Sequence, residues 1–248
     1  MNCGAILPAN STENIMLAIV LKENNKDSYK LTYEEPVLID KVVNAEDKGS
    51  SKNRNELLKI STADYVIFSD DDQCFDADTY KTISSYLSKK EYNAFVFNID
   101  ISNKERKYDD DNIKNDRLCK KKDVLGSGVW RFVFKKSALS NLWFDEKIGP
   151  GTKYLCGEDT VFIAQFLKQN KKKVLLTTKN IGVLNQTESS WFDKLHSDEY
   201  IYAQGYTQKI IYPVLYPIYC VRSLLVFHML TLKNLRKVFK GYKIIKNS

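Results

Sequence analysis

From Tyr200 to Ser248 the chain contains no aspartate and no glutamate. That stretch holds Lys209, Arg222, Lys233, Arg236, Lys237, Lys240, Lys243 and Lys246, so it carries +8 of a whole-chain net charge of +7. The first 199 residues therefore sum to −1: a near-neutral body precedes a basic end. A basic end favours anionic lipid or nucleic acid. No motif is present that would set these side chains into a groove, so nucleic acid is not an expected partner. Paired cysteine spacings are also missing. The five cysteines (3, 74, 119, 156 and 220) are odd in number, which fits a reduced, cytosolic setting rather than a disulfide framework or a zinc site. The chain shows no basic leader before an apolar stretch, and Ile15 to Leu21 is too short for a signal peptide. No Walker-type glycine-rich phosphate loop, internal repeat or low-complexity linker occurs. The apolar segment 210–230 is interrupted by Pro213, Pro217 and Arg222, which argues against a membrane span.

What the chain does contain is acid at strand and helix ends. Ser69-Asp70-Asp71-Asp72 follows the run Tyr65-Val66-Ile67-Phe68. The run reads as a buried strand. Three carboxylates at its carboxyl end are not core, because unpaired charges are not buried. In open α/β sheets ligands bind at that edge, and a cluster of hard oxygens there suits Mg²⁺ or Mn²⁺ held with substrate phosphates. A solvated turn is the plain alternative. A second acidic pair, Gly157-Glu158-Asp159, precedes Thr160–Leu167, whose apolar residues recur at three and four. The pair thus lies at a helix amino end, where acids also serve simply as caps. The glycine-rich approach, Trp143 to Gly151, can shape a cleft and present one carboxylate as a general base.

Along the chain, Gly4–Leu7 reads as a strand, 13–23 as a helix capped by Thr12, and 37–43 as a strand. A helix opens at Gly49. A further helix capped by Asp76 or Asp78 runs to Leu87, and strands follow at 94–99, 130–134 and 174–176. The segment 100–123, with Asp109-Asp110-Asp111, reads as a charged surface loop, and His196 as a surface residue. Strands alternating with helices indicate an α/β sheet. In the last segment Leu230, Leu232, Leu235, Val238 and Phe239 alternate with Lys233, Arg236, Lys237 and Lys240. This is the pattern of a helix lying on anionic lipid, though an ordinary amphipathic surface helix has it too. Read as an anchor, the segment is dispensable, and a chain ending near residue 230 is expected to stay folded.

Four pieces in order, Gly49-Ser50-Ser51-Lys52-Asn53-Arg54-Asn55, Tyr65 to Asp72, Phe144-Asp145-Glu146 and Gly157-Glu158-Asp159, resemble the family 2 glycosyltransferases of the GT-A fold. The resemblance implies an α/β fold with one nucleotide-binding sheet flanked by helices over residues 1–200, and a helical, basic, membrane-peripheral extension over 201–248. It implies an inverting transfer of a sugar from a nucleotide-sugar donor, a UDP-sugar first, to a hydroxyl of a saccharide or lipid-linked acceptor in surface polysaccharide synthesis. The location implied is the inner face of the cell membrane. Asp70 and Asp72 match the family's Asp-x-Asp pattern and would hold Mn²⁺ or Mg²⁺, with Asp71 between them on the donor. Asp159 matches the base, with Glu158 as the alternative base or its partner. Arg54 and Asn55 would lie near the nucleotide, and Gly126 to Trp130, including Gly128, would wall the sugar site. Only 48 residues precede Gly49, fewer than the family usually has, so Pro8 and Asn10 are the candidates for the base-side wall. The segment 183–187 lacks the histidine that often completes the metal site. Two other readings stand beside this one. The first is a metal-dependent nucleotidyl or phosphoryl transferase. The second is a degenerate GT-A domain acting as scaffold for a partner glycosyltransferase or a second copy of the chain.

Overall fold

The computed structural model describes residues 4–7, 16–22, 38–45, 49–61, 63–69, 73–75, 78–101, 112–184, 194 and 196–248. Among the described residues nine strands form one mixed sheet. They are β1 (Gly4–Leu7), β2 (Met16–Lys22), β3 (Leu38–Ala45), β4 (Tyr65–Ile67), β5 (Gln73–Cys74), β6 (Ala94–Ile101), β7 (Arg117–Leu118), β8 (Phe132–Lys135) and β9 (Val174–Leu184). Their order is β3-β2-β1-β4-β8-β6-β9-β5, with β7 paired to β9. The helices are α1 (Ser50–Ile60), α2 (Thr79–Leu87), α3 (Glu158–Gln169), α4 (Asp198–Ile211), α5 (Tyr216–Val226) and α6 (Leu232–Lys246).

The central strands are buried on both faces, as expected where helices cover a sheet. Val66, Phe68, Ala94, Val96, Phe132 and Phe134 enter one apolar cluster, with Phe162, Ile163 and Phe166 of α3. Their neighbours Tyr65, Ile67, Phe95, Phe97 and Val133 enter a second cluster on the other face, with Ile83 of α2. The two-residue alternation of a strand produces this split.

Several sequence expectations need correction. Residues 16–22 form a strand, not part of a helix, pairing antiparallel with β1 and parallel with β3. An unbroken apolar run of this length, Met-Leu-Ala-Ile-Val-Leu, does not distinguish helix from strand by period, and its β-branched residues favour the strand. The expected strand at 130–134 begins only at Phe132, because Val129–Arg131 is a single 3₁₀ turn. The last strand runs well past Leu176 to Leu184, paired parallel with β6. Part of the supposed loop 100–123 is ordered: Arg117 and Leu118 pair with β9, and Asp116 accepts from the Thr178 N–H at 2.7 Å. Asp76, Asp109 to Asp111 and residues 185–187 lie outside the described residues.

The carboxyl-terminal helices are built into the body. Ala203, Tyr206 and Ile245 share a cluster with Ile148, Tyr154 and Val161, and Val238 and Ile245 are fully buried. α4 and α6 cross at two glycines. A β-carbon on Gly205 would lie 1.8 Å from the Val238 carbonyl oxygen, and one on Gly241 would lie 2.2 Å from that of Tyr202. Only bare backbone allows this approach. Helix α6 is therefore not a dispensable arm, and loss of residues beyond 230 uncovers core. Among the described residues, no helix is long and apolar enough to cross a membrane.

Candidate active site

An aromatic seam brings the separated acidic pieces together. Phe68, the residue directly after β4, meets Phe144 edge-on at 5.1 Å and Phe162 at 6.1 Å. Phe144 stacks flat on Phe162 with centroids 3.9 Å apart. The strand end, the glycine-rich approach and α3 thus converge on three rings, and the Arg54 guanidinium sits 5.3 Å above the Phe144 ring.

Asp159 is the most tightly positioned carboxylate here. Its Oδ1 accepts from Arg54 Nη1 at 2.6 Å, and its Oδ2 accepts from the Val129 N–H at 3.1 Å. Arg54 Nη1 also lies 3.7 Å from Glu158 Oε1. The side chains are 7% (Arg54), 10% (Glu158) and 19% (Asp159) exposed, so Asp159 is the more open of the two acids. Gly157 begins α3 with φ 102°, a left-handed conformation that glycine adopts without strain. A β-carbon there would also stand 2.2 Å from Thr207 Oγ1 of α4. This start turns both acids into the first helical turn, toward α1 and the Val129 turn. The Val129 N–H bond explains why β8 begins late: that amide faces a carboxylate instead of a neighbouring strand.

Asn55 has a different task from its neighbour. Its carboxamide accepts from the Phe144 N–H at 2.8 Å and donates to the Phe144 carbonyl at 3.0 Å and to Glu146 Oε1 at 2.8 Å. It is a buried clamp on the 144–146 segment. Ser51 Oγ donates to the Ile148 carbonyl at 2.8 Å, extending the same clamp. Gly128 and Trp130 flank Val129, whose amide bonds Asp159. The indole folds back over Gly128, where a β-carbon would meet Nε1 at 1.8 Å. Gln73 Nε2 donates to the Trp130 carbonyl at 3.3 Å, tying this wall to the residue directly after Asp72.

Asp70, Asp71 and Asp72, with Pro8 and Asn10, lie outside the described residues. Ser69, two residues after β4, is buried, and Gln73 opens β5. Among the described residues no group of three or more histidine, cysteine, aspartate or glutamate side chains could hold a metal. His196 is exposed. Gln73 and Tyr206 carry no motif signal, whereas Asp145 lies within the Phe144-Asp145-Glu146 piece. Tyr206 of α4 donates a short hydrogen bond to Asp145, next to Glu146. Burial and this bond raise the Tyr206 pKa above its ordinary 10.0.

The sequence profile described as glycosyl transferase family 2 matches residues 27–152, which is half of the chain. The chain belongs to that family. The matched span includes Arg54, Asn55 and the Asp70–Asp72 triplet, and stops before Glu158. No curated protein sequence matches the chain. Among solved structures, S. aureus TarS 1-349 is 14% identical with a TM-score of 0.56, over 84% of this chain and 73% of that one. The same TarS fragment in complex with UDP-GlcNAc is 13% identical, TM-score 0.57, over 84% and 74%; with UDP it is 13% identical, TM-score 0.55, over 84% and 73%. This similarity is one of fold, and it places the chain's single helix-flanked sheet in the GT-A class.

Proposed function

We propose that the chain is an inverting glycosyltransferase in which Asp159 is the general base. The observation that carries this reading is the double grip on Asp159, by Arg54 and by the Val129 amide, beside the strand end that leads into Asp70–Asp72. A carboxylate held at both oxygens points in one direction, which is the positioning a general base needs. Asp159 takes the hydroxyl proton as that oxygen bonds to the anomeric carbon. The bond from that carbon to the diphosphate oxygen breaks on the opposite side, and the nucleoside diphosphate leaves. Glu158, more enclosed, positions Arg54.

The donor is a nucleotide sugar, and a UDP-sugar is the first candidate, because the TarS fragment of the same fold binds UDP-GlcNAc and UDP. Asp70 and Asp72 would hold Mn²⁺ or Mg²⁺, a Lewis acid that neutralises the diphosphate leaving group. Asp71, Gly128, Trp130 and the Pro8–Asn10 segment would complete the donor site. The acceptor is a hydroxyl of a saccharide or lipid-linked saccharide, at the cytoplasmic face of the membrane. This last assignment rests on the basic carboxyl-terminal charge.

The test is a screen of nucleotide sugars for metal-dependent thermal stabilisation, since a ligand that binds only the folded chain raises its Tm. One uridine sugar with Mn²⁺ is expected to shift the wild type, and Asp72→Ala to lose that shift at an unchanged ligand-free Tm. Undiminished donor binding by Asp72→Ala would remove Asp72 from the site. Stabilisation by no nucleotide sugar would favour the scaffold role.

A further inference from the structure

Eight of the eleven large apolar side chains exposed among the described residues lie between Val214 and Phe239. Val214 is 87% exposed, Leu232 77%, Ile218 64% and Leu225 53%. On α5, Ile218, Arg222, Leu225 and Val226 fall on one face, while Cys220, Ser223 and Leu224 on the opposite face are buried. Val214 in the turn before α5 and Leu232 at the start of α6 flank that outer face. An apolar face of this extent marks an interaction site.

We propose that the outer face of α5, with the turns at its two ends, docks on an anionic lipid surface. The inference deepens the proposed function, on whose membrane-facing acceptor it rests. The charge pattern selects the occupant. Arg222 lies within the face, and Lys233, Arg236 and Lys240 are exposed on the adjoining helix, with no acidic residue after position 199. A second copy of the chain would bring these cations against their own images. An anionic bilayer offers acyl chains to Ile218 and Leu225 and phosphate oxygens to the cations, and the long Arg222 side chain can reach a headgroup while its stem stays among apolar neighbours. The contact centres on α5, with Leu232 at its border, rather than on the whole apolar stripe of α6 that the sequence pattern singles out, because Val238 in the middle of that stripe is sealed against α4.

The docking helix is joined to the base side of the site. Ser223 Oγ of α5 donates to Gln204 Oε1 at 3.0 Å, and Gln204 Nε2 reaches Cys156 Sγ at 3.8 Å, three residues before Asp159. A membrane under α5 would therefore hold the acceptor's lipid within one helical layer of the Cys156–Asp159 segment.

The experiment is co-sedimentation of the full chain with vesicles of phosphatidylcholine alone and of phosphatidylcholine with phosphatidylglycerol, across a salt series. The wild type is expected to pellet with the anionic vesicles, and less so as salt rises. Ile218→Glu combined with Leu225→Glu should weaken that binding at least about tenfold at an unchanged Tm, because both positions are solvent-exposed. Lys233→Gln with Arg236→Gln and Lys240→Gln should remove the preference for anionic vesicles. Wild-type binding by the double glutamate variant would overturn the proposal. So would a lipid-free dimer that the same variant converts to monomer without loss of vesicle binding, which would assign the face to a second copy. Nucleotide-sugar stabilisation, read in parallel, keeps the two claims apart. A chain that binds vesicles but no donor refutes the transferase reading and leaves the docking face standing.

Discussion

Helices α3 and α5 are both rich in apolar residues and are used in opposite ways. α3 buries Val161, Phe162, Ile163 and Phe166 almost completely, because it lies between the sheet and the carboxyl-terminal helices: Phe162, Ile163 and Phe166 join the sheet cluster, and Val161 joins Ala203, Tyr206 and Ile245. α5 buries Cys220 and Leu224 but leaves Ile218, Leu225 and Val226 outside. Apolar periodicity states that a face will be covered and does not state by what. Where the cover is the protein itself, the helix is rigid enough to aim a carboxylate. Where the described structure supplies no cover, a partner surface is indicated.

The contrast can be broken first at the clamped end of α3. Arg54→Met removes the charged partner of Asp159 in a largely enclosed pair and leaves the carboxylate next to Glu158 with the Val129 amide. A loss of about 3–5 kcal/mol is expected for breaking such a pair, discounted toward the lower figure by the partial exposure of Asp159. Chemical denaturation measures it. A cost under about 1 kcal/mol would mean that water, not Arg54, satisfies Asp159.

A smaller effect tests the helix crossing that connects the two regions. Gly241→Ala gains about 1 kcal/mol of helix propensity but drives a methyl group toward the Tyr202 carbonyl oxygen at 2.2 Å. Steric strain of about 1–3 kcal/mol should win, giving a net destabilisation. A thermal melt showing stabilisation would mean that α4 and α6 separate freely.

The smallest effect concerns Tyr206. Its pKa is raised by burial first and then by its bond to Asp145, so the folded state favours the neutral phenol. The resulting stability is fully present below the ordinary tyrosine value of 10.0 and is lost as pH climbs through the folded value. Tyr206→Phe should lack this component, so the gap in stability between wild type and variant should narrow above about pH 10. An unchanging gap from pH 7 to 11 would show that the Asp145 contact contributes nothing.

Part of the acidic cluster was legible in the sequence. Glu158 and Asp159 stand at the first turn of α3, as their position before an apolar 3–4 pattern implies, while the pairing of Arg54 on α1 with Asp159 carries no sequence signal. Other features were not legible, for definite physical reasons. Residues 16–21 are apolar throughout, so no period separates strand from helix. The Val129 amide donor is backbone, and no side-chain motif announces it. The links Tyr206–Asp145 and Gln73–Trp130 join residues 61 and 57 positions apart, and only the tertiary fold brings them together. The amphipathic stripe of α6 was visible, but the two glycines that press it onto α4, and so shift the open apolar face to α5, act through backbone contact.

The central claim is that Asp159 removes the acceptor proton. Its most direct test is Asp159→Asn, which preserves size and hydrogen-bonding capacity but cannot take a proton, assayed with the donor found by the thermal screen. Turnover should fall by roughly 10²–10⁴, the usual contribution of a positioned base, while donor affinity stays within a factor of about two. Near-normal turnover in Asp159→Asn alongside a dead Glu158→Gln would contradict the account and hand the role of base to Glu158.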